Sequence, residues 1–232
     1  MSTSRRTPAG GPGLPALARR RRNGVNTNSS TIFGGGCGWA LCDHGRVVTG
    51  GSDDNVIFRR AGVDDTPEVL IVLDEAAAWL RERGISQWPA RFEPSWIEDA
   101  IRRGETWLIE INNETAGTVT LDWVDPIWAD VGGQAAYVHR MAVRRWAGGL
   151  GAVILGWAAD TALHRSRHAL RLDCVASNLR LCAYYEASGF VHRGDVAVGG
   201  APGQREQQGP VTTVSRYELP LHAAGKTQHS ML

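Results

Sequence analysis

Two spacings of apolar residues alternate along the chain, and together they predict a layered architecture. Ala136 to Val143 is a run of mostly apolar positions that reads as a buried strand, and from Leu150 onward apolar residues recur every three or four positions, as on a helix. Ala169 to Val175 is a second buried strand, followed by an amphipathic run from Leu179. Upstream, Asn55 to Arg60 reads as a short strand. Val69, Leu70, Leu73, Ala76, Ala77 and Leu80 form one helical stripe, with Asp64 or Asp65 as cap and Pro67 in the first turn. Gly84 ends that helix, Ile85 to Pro89 is a loop, and Pro94-Ser95 opens a second helix through Ile101. Glu105 to Ile111 and Ala116 to Val124 read as a hairpin turning at Asn112-Asn113. Asp125-Pro126 stops the second strand, and Ile127 to Gln134 is a loop. Gly189 to Arg193 and Val211 to Leu219 are the last strands, separated by a polar loop over Gly199 to Gly209.

Composition sets the bounds. Residues 1–54 are rich in Gly, Ser, Arg and Asn and poor in large apolar side chains, so they read as a disordered tail. Residues 55–222 hold the folded domain, and 223–232 a second tail. The Arg19 to Arg22 cluster lacks a following apolar core of signal-peptide length and reads as a solvated tail. With a net charge of +1 over 232 residues, there is no global pull toward nucleic acid. No run approaches the roughly eighteen apolar residues of a membrane helix. Cys37, Cys42, Cys174 and Cys182 lack the paired spacings of zinc ligands, so no metal is expected and a reducing cytoplasm is the default location.

The candidate chemistry lies between the two buried strands. The elbow Trp146-Ala147-Gly148-Gly149-Leu150-Gly151 joins strand to helix, pointing backbone N–H groups and the positive end of a helix dipole at one spot that suits a phosphate. Then follow the second strand, Asn178, and a run ending Tyr185-Glu186-Ala187-Ser188-Gly189-Phe190. This order resembles the GNAT superfamily of N-acetyltransferases, specifically from about Ala136 to Phe190 and more faintly from Val56. In one respect it differs: Trp146 stands where such proteins usually carry Arg or Gln, with Arg144 and Arg145 beside it.

The resemblance implies an α/β fold with a mixed, mostly antiparallel sheet, whose parallel middle strands splay apart between flanking helices. It implies acetyl-CoA as acyl donor, its pantetheine arm in the gap. The N–H of Met141 would polarise the thioester carbonyl and Val143 would bond the pantetheine amide. Gly148, Gly149, Gly151 and Ala152 would meet the pyrophosphate, with Arg144 or Arg145 adding charge. Asn178 would hold the cofactor, although a helix N-cap is an equal reading of that residue. Tyr185 matches the tyrosine that such enzymes place beside the sulfur, where a phenol can protonate the departing thiolate. His139, two residues before Met141 and so expected on the same strand face, is the candidate base, with an unperturbed pKa of roughly 6.5. Asp122, Asp125 and Asp130 could bind a cationic acceptor or serve as turn residues. Trp79, Trp88, Trp96, Trp107, Trp123 and Trp128 fall where the acceptor cleft should lie. The expected acceptor is a primary amine on a small molecule. Aminoacyl-tRNA or a carrier-protein thioester remains an alternative donor, a non-catalytic CoA-binding module is the alternative class, and a homodimer is left open.

Overall fold

The computed structural model describes residues 39–42, 46–49, 55–199 and 211–222, the first two segments by backbone only. Among the described residues nine strands form one sheet: β1 (Trp39–Cys42), β2 (Arg46–Thr49), β3 (Val56–Arg60), β4 (Thr106–Ile111), β5 (Glu114–Asp122), β6 (Ala135–Val143), β7 (Ala169–Val175), β8 (Val191–Val198) and β9 (Thr212–Pro220). Their order is β1-β2-β3-β4-β5-β6-β7-β9-β8. Every neighbouring pair is antiparallel except β6 and β7. The α/β class with a mixed, mostly antiparallel sheet is therefore the one observed. β1 and β2 lie within the stretch that composition reads as a tail. The Arg19 to Arg22 cluster, residues 200–210 and residues 223–232 lie outside the described residues.

Four α-helices among the described residues cover the sheet: α1 (Thr66–Arg81), α2 (Glu98–Arg102), α3 (Leu150–His164) and α4 (Leu179–Ala187). α1 buries Val69, Leu73 and Ala77 as its stripe predicts, and Val72 with them. Its N-cap is Asp65, but that carboxylate does not bond the helix amides. It accepts from the Gly62 amide and pairs with Arg59 at 2.7 Å. A charged fork close by outcompetes the amides for a short carboxylate.

The core lies on two faces. On one, α3 and α4 pack Ile154, Trp157, Ala158, Cys182 and Tyr185 against Phe58, Trp107, Leu121, Val138, Leu172 and Cys174. Trp157 stacks on Phe58 with centroids 4.6 Å apart and meets Trp107 edge-on at 4.9 Å. On the other face, α1 and Phe92, Ile97 and Ile101 cover Leu108 and Ala142. The loop between β5 and β6 packs Trp128 against Tyr137 and Ala169 there. Arg171 and Arg216 place their guanidinium carbons 5.0 and 5.1 Å from the Trp128 ring centroid. Arg171 also bonds the Val131 and Gly132 carbonyls, and Arg216 the Ile127 carbonyl and Asp130, so the loop is fixed to the sheet. Trp107 and Trp128 thus serve the core rather than an aromatic cleft wall. No described helix is long and apolar enough to cross a membrane.

Candidate active site

β6 and β7 pair only from Ala135↔Ala169 to Val138↔Leu172, although β6 continues to Val143 and β7 to Val175. Beyond Val138 and Leu172 the two strands have parted. Main-chain groups on those facing edges have no partner strand there among the described residues, and such groups bond whatever polar ligand enters. The opening is a wedge, with His139 and Asp173 the first residues past its vertex.

A bulge shapes the β6 side. Thr120 lies opposite His139 but Thr118 opposite Ala142, so β6 holds one extra residue, and Arg140 adopts φ 48. The extra residue reverses the alternation beyond it. Met141 and Val143 consequently pack against the α3/α4 face, with Val138, whereas Ala142 joins the α1 face. His139 instead reaches Asp122 and Asp125, its Nε2 3.6 and 3.3 Å from their carboxylates. The expectation that His139 and Met141 share a face fails because two-residue counting assumes an unbroken pleat.

At the mouth, β6 runs into the turn that opens α3. Gly149 is the N-cap in the left-handed region, φ 93, a conformation that glycine adopts without a Cβ clash. A Cβ added at Gly148 or Gly149 would meet nothing within 4 Å, so open space lies over the turn. The first-turn amides of α3, those of Gly151 and Ala152 among them, point along the axis toward that end. Ala152 N–H also reaches the Gly149 carbonyl at 3.2 Å. Arg144 turns the other way: its guanidinium lies 3.3 Å from Glu68 and 3.1 Å from Glu75 on α1 and donates to the Thr115 carbonyl. Arg145 is exposed, as is Trp146.

Asn178 is buried and caps α4, its Oδ1 accepting from the Leu181 amide. Its Nδ2 donates to Gln87 Oε1 at 2.6 Å, tying the start of α4 to the loop after α1. Tyr185 is buried, its ring 5.8 Å from those of Phe190 and Tyr217. Burial pushes its phenol well above the ordinary tyrosine value, so it stays protonated at neutral pH. Tyr184 is exposed, and its hydroxyl would meet a Cβ at Gly151 at 3.1 Å. The thiols of Cys174 and Cys182 approach to 3.6 Å as free cysteines.

Four groups gather at the vertex. Asp122, on β5, is buried and also lies 3.6 Å from Arg103. Asp125 accepts from the Ile127 amide and is buried beside His139. Ligand atoms of Asp125, His139 and Asp173 all lie within 4.8 Å of one another. Burial, and then Asp125, push the Asp173 carboxyl up to about 7. Asp130 is absent from this group because Arg216 holds it. Asp173 is the functional candidate that sequence reading misses. The available signal was an acidic residue interrupting the apolar strand Ala-Leu-Arg-Leu-Asp-Cys-Val.

Comparisons with known proteins agree on the family. A model described as the acetyltransferase (GNAT) family matches residues 73–190. A Bacillus subtilis protein named uncharacterized N-acetyltransferase YesJ is 35% identical over 148 residues, 59% of this chain and 82% of that protein. The crystal structure of a GNAT-family acetyltransferase from Listeria monocytogenes superposes with a TM-score of 0.58 at 26% identity, covering 76% of this chain and 99% of that one. YncA of Salmonella typhimurium, a putative acetyltransferase solved with its cofactor acetyl-CoA, has a TM-score of 0.51 at 17% identity, covering 75% and 99%. With a parted pair of parallel strands, a glycine turn at their mouth and a family match across half its length, this chain belongs to the GNAT family of acetyltransferases.

Proposed function

We propose that the protein transfers an acetyl group from acetyl-CoA to a primary amine of a small molecule, by direct attack while both substrates are bound. The wedge between β6 and β7 carries the reading. Bound there, acetyl-CoA supplies a thioester whose carbonyl carbon is open to attack. Met141 N–H donates to the carbonyl oxygen as charge develops on it, a donor contributing about 3 kcal/mol to the lowered barrier. Val143 positions the pantetheine arm, and Asn178 the cofactor at the start of α4. Gly148, Gly149, Gly151 and Ala152 offer amides to the pyrophosphate. Arg145 is better placed than Arg144 to add charge, since Arg144 is engaged with Glu68 and Glu75.

His139 receives a proton from the attacking amine, and the nearby carboxylates of Asp122 and Asp125 stabilise the imidazolium that forms. Tyr185 donates its phenolic proton to the thiolate as the carbon–sulfur bond breaks. A Salmonella typhimurium acetyltransferase of the same fold modifies the N-terminal serine of ribosomal protein L7/L12. A protein N terminus is therefore the second acceptor class to test.

Mass spectrometry of amine libraries and N-terminal peptides, incubated with protein and acetyl-CoA, tests the reading. A gain of one acetyl group on a small amine is expected. Gain on peptides alone would move the acceptor to proteins, and no gain would remove acetyl-CoA as donor. Aminoacyl-tRNA as donor would then be tried at low salt, where phosphate contacts are strongest. Tyr185→Phe should lose turnover while retaining CoA. Equal turnover would sink its assignment as the acid.

A further inference from the structure

The vertex of the wedge holds more acid than the transfer of one proton requires. Pairing of β6 with β7 ends at Val138↔Leu172, so the strands diverge with His139 on one and Asp173 on the other. On β7, Leu172 and Cys174 pack into the α3/α4 core with Tyr185, whereas Arg171 turns to Trp128 and Tyr137. Asp173 alternates with Leu172 and Cys174 and so shares the Arg171 face, where it meets Asp125 and His139. The acid cluster and Tyr185 thus lie on opposite sides of the gap.

We propose that Asp173 and Asp125 seat the acceptor as its ammonium ion beside His139, and that the Asp173 carboxylate takes the first of the two protons which the ammonium must lose. This rests on the acetyl-transfer reading and deepens it by naming a cationic aliphatic amine as the substrate class. The ammonium gives one proton to Asp173, and the nitrogen forms its bond to the acetyl carbon as the carbon–sulfur bond breaks and gives a second proton to His139. The thiolate takes one proton from Tyr185, and of the two protons collected by Asp173 and His139, one restores the Tyr185 phenol through solvent and the other is released.

Charges facing Asp173 set its behaviour. Asp125 comes from the loop after β5, His139 from β6 and Tyr185 from α4, while Arg216 stands opposite on β9 with its guanidinium engaged by Asp130. Asp122, the further carboxylate beside His139, is shared with Arg103. Held up to about 7 by burial and Asp125, Asp173 can both accept and release a proton at neutral pH.

The test uses cadaverine, spermidine and phenethylamine as probes, with calorimetry at pH 8 on the full chain. At least one probe should bind, and Asp173→Asn should weaken it tenfold or more, while Glu114→Gln, an exposed change in the β4–β5 hairpin, leaves it unaltered. For a probe that is acetylated, Asp173→Asn should lower kcat/KM at least tenfold and remove the rise in rate near pH 7. Failure of all three probes to bind, or binding and pH profile unchanged in Asp173→Asn, overturns the proposal. So does stoichiometric binding of Zn2+ that depends on Asp173 while the amines are ignored. Asp173-dependent amine binding with no acetyl transfer would leave this site standing and remove the acetyl-transfer reading instead.

Discussion

Asp173→Asn should make the protein more stable as well as less active, and the gain should depend on pH in a calculable way. In the folded chain the carboxyl is pushed up to about 7, against 3.8 for an ordinary aspartate. Between these values the native state holds a proton that the unfolded chain has lost. The associated stabilisation is fully present below 3.8 and disappears as pH rises through 7. One group with this pair of values makes the wild-type protein about 2.5 kcal/mol more stable at pH 5 than at pH 8. Asparagine does not titrate, so the variant lacks that contribution. Its stability relative to wild type should rise by about 2.5 kcal/mol over the interval, or roughly 5 to 10 °C in Tm. Urea unfolding of both proteins at pH 5, 6, 7 and 8 measures the difference directly, and subtraction cancels titrations common to both. A wild-type-to-variant difference that stays constant within about 0.5 kcal/mol from pH 5 to 8 would refute the partly buried, acid-paired environment assigned to Asp173.

Three further outcomes follow from the packing. Trp157→Ala removes a fully buried indole that contacts Phe58 and Trp107, and should cost about 3 to 5 kcal/mol in chemical unfolding. Gly149→Ala places a Cβ at φ 93 in open space, so the expected loss is backbone strain alone, about 1 to 2 kcal/mol. A much larger loss by thermal melting would mean that the turn is packed rather than open. Arg171→Met strips Glu218 of one of its two 2.7 Å partners, leaving Arg193, and frees the Val131 and Gly132 carbonyls. We expect about 3 kcal/mol of destabilisation and faster amide exchange over residues 126–134.

Much of the fold was legible because its elements announce themselves locally. The glycine turn, the apolar runs of β6 and β7, the α1 stripe and the Asn178 cap each depend on residues within a few positions of one another. Several failures involve charged partners on other elements of the fold. Asp65 is taken from its helix by Arg59, Arg144 from the glycine turn by Glu68 and Glu75, and Asp130 from the acid group by Arg216. A charged side chain goes to the best counter-charge within reach, and what is within reach depends on the sheet.

The sequence alone determined the succession of strands and helices from Val56 onward, the glycine turn and the family resemblance, since these are written in local spacing and backbone preference, whereas β1 and β2 escaped it. Only the tertiary structure decided that Met141 and His139 face apart, because one bulged residue reverses the pleat. It likewise decided that Asp125, His139 and Asp173 meet. They lie on three separate segments of chain, and only the divergence of β6 from β7 creates the vertex they share.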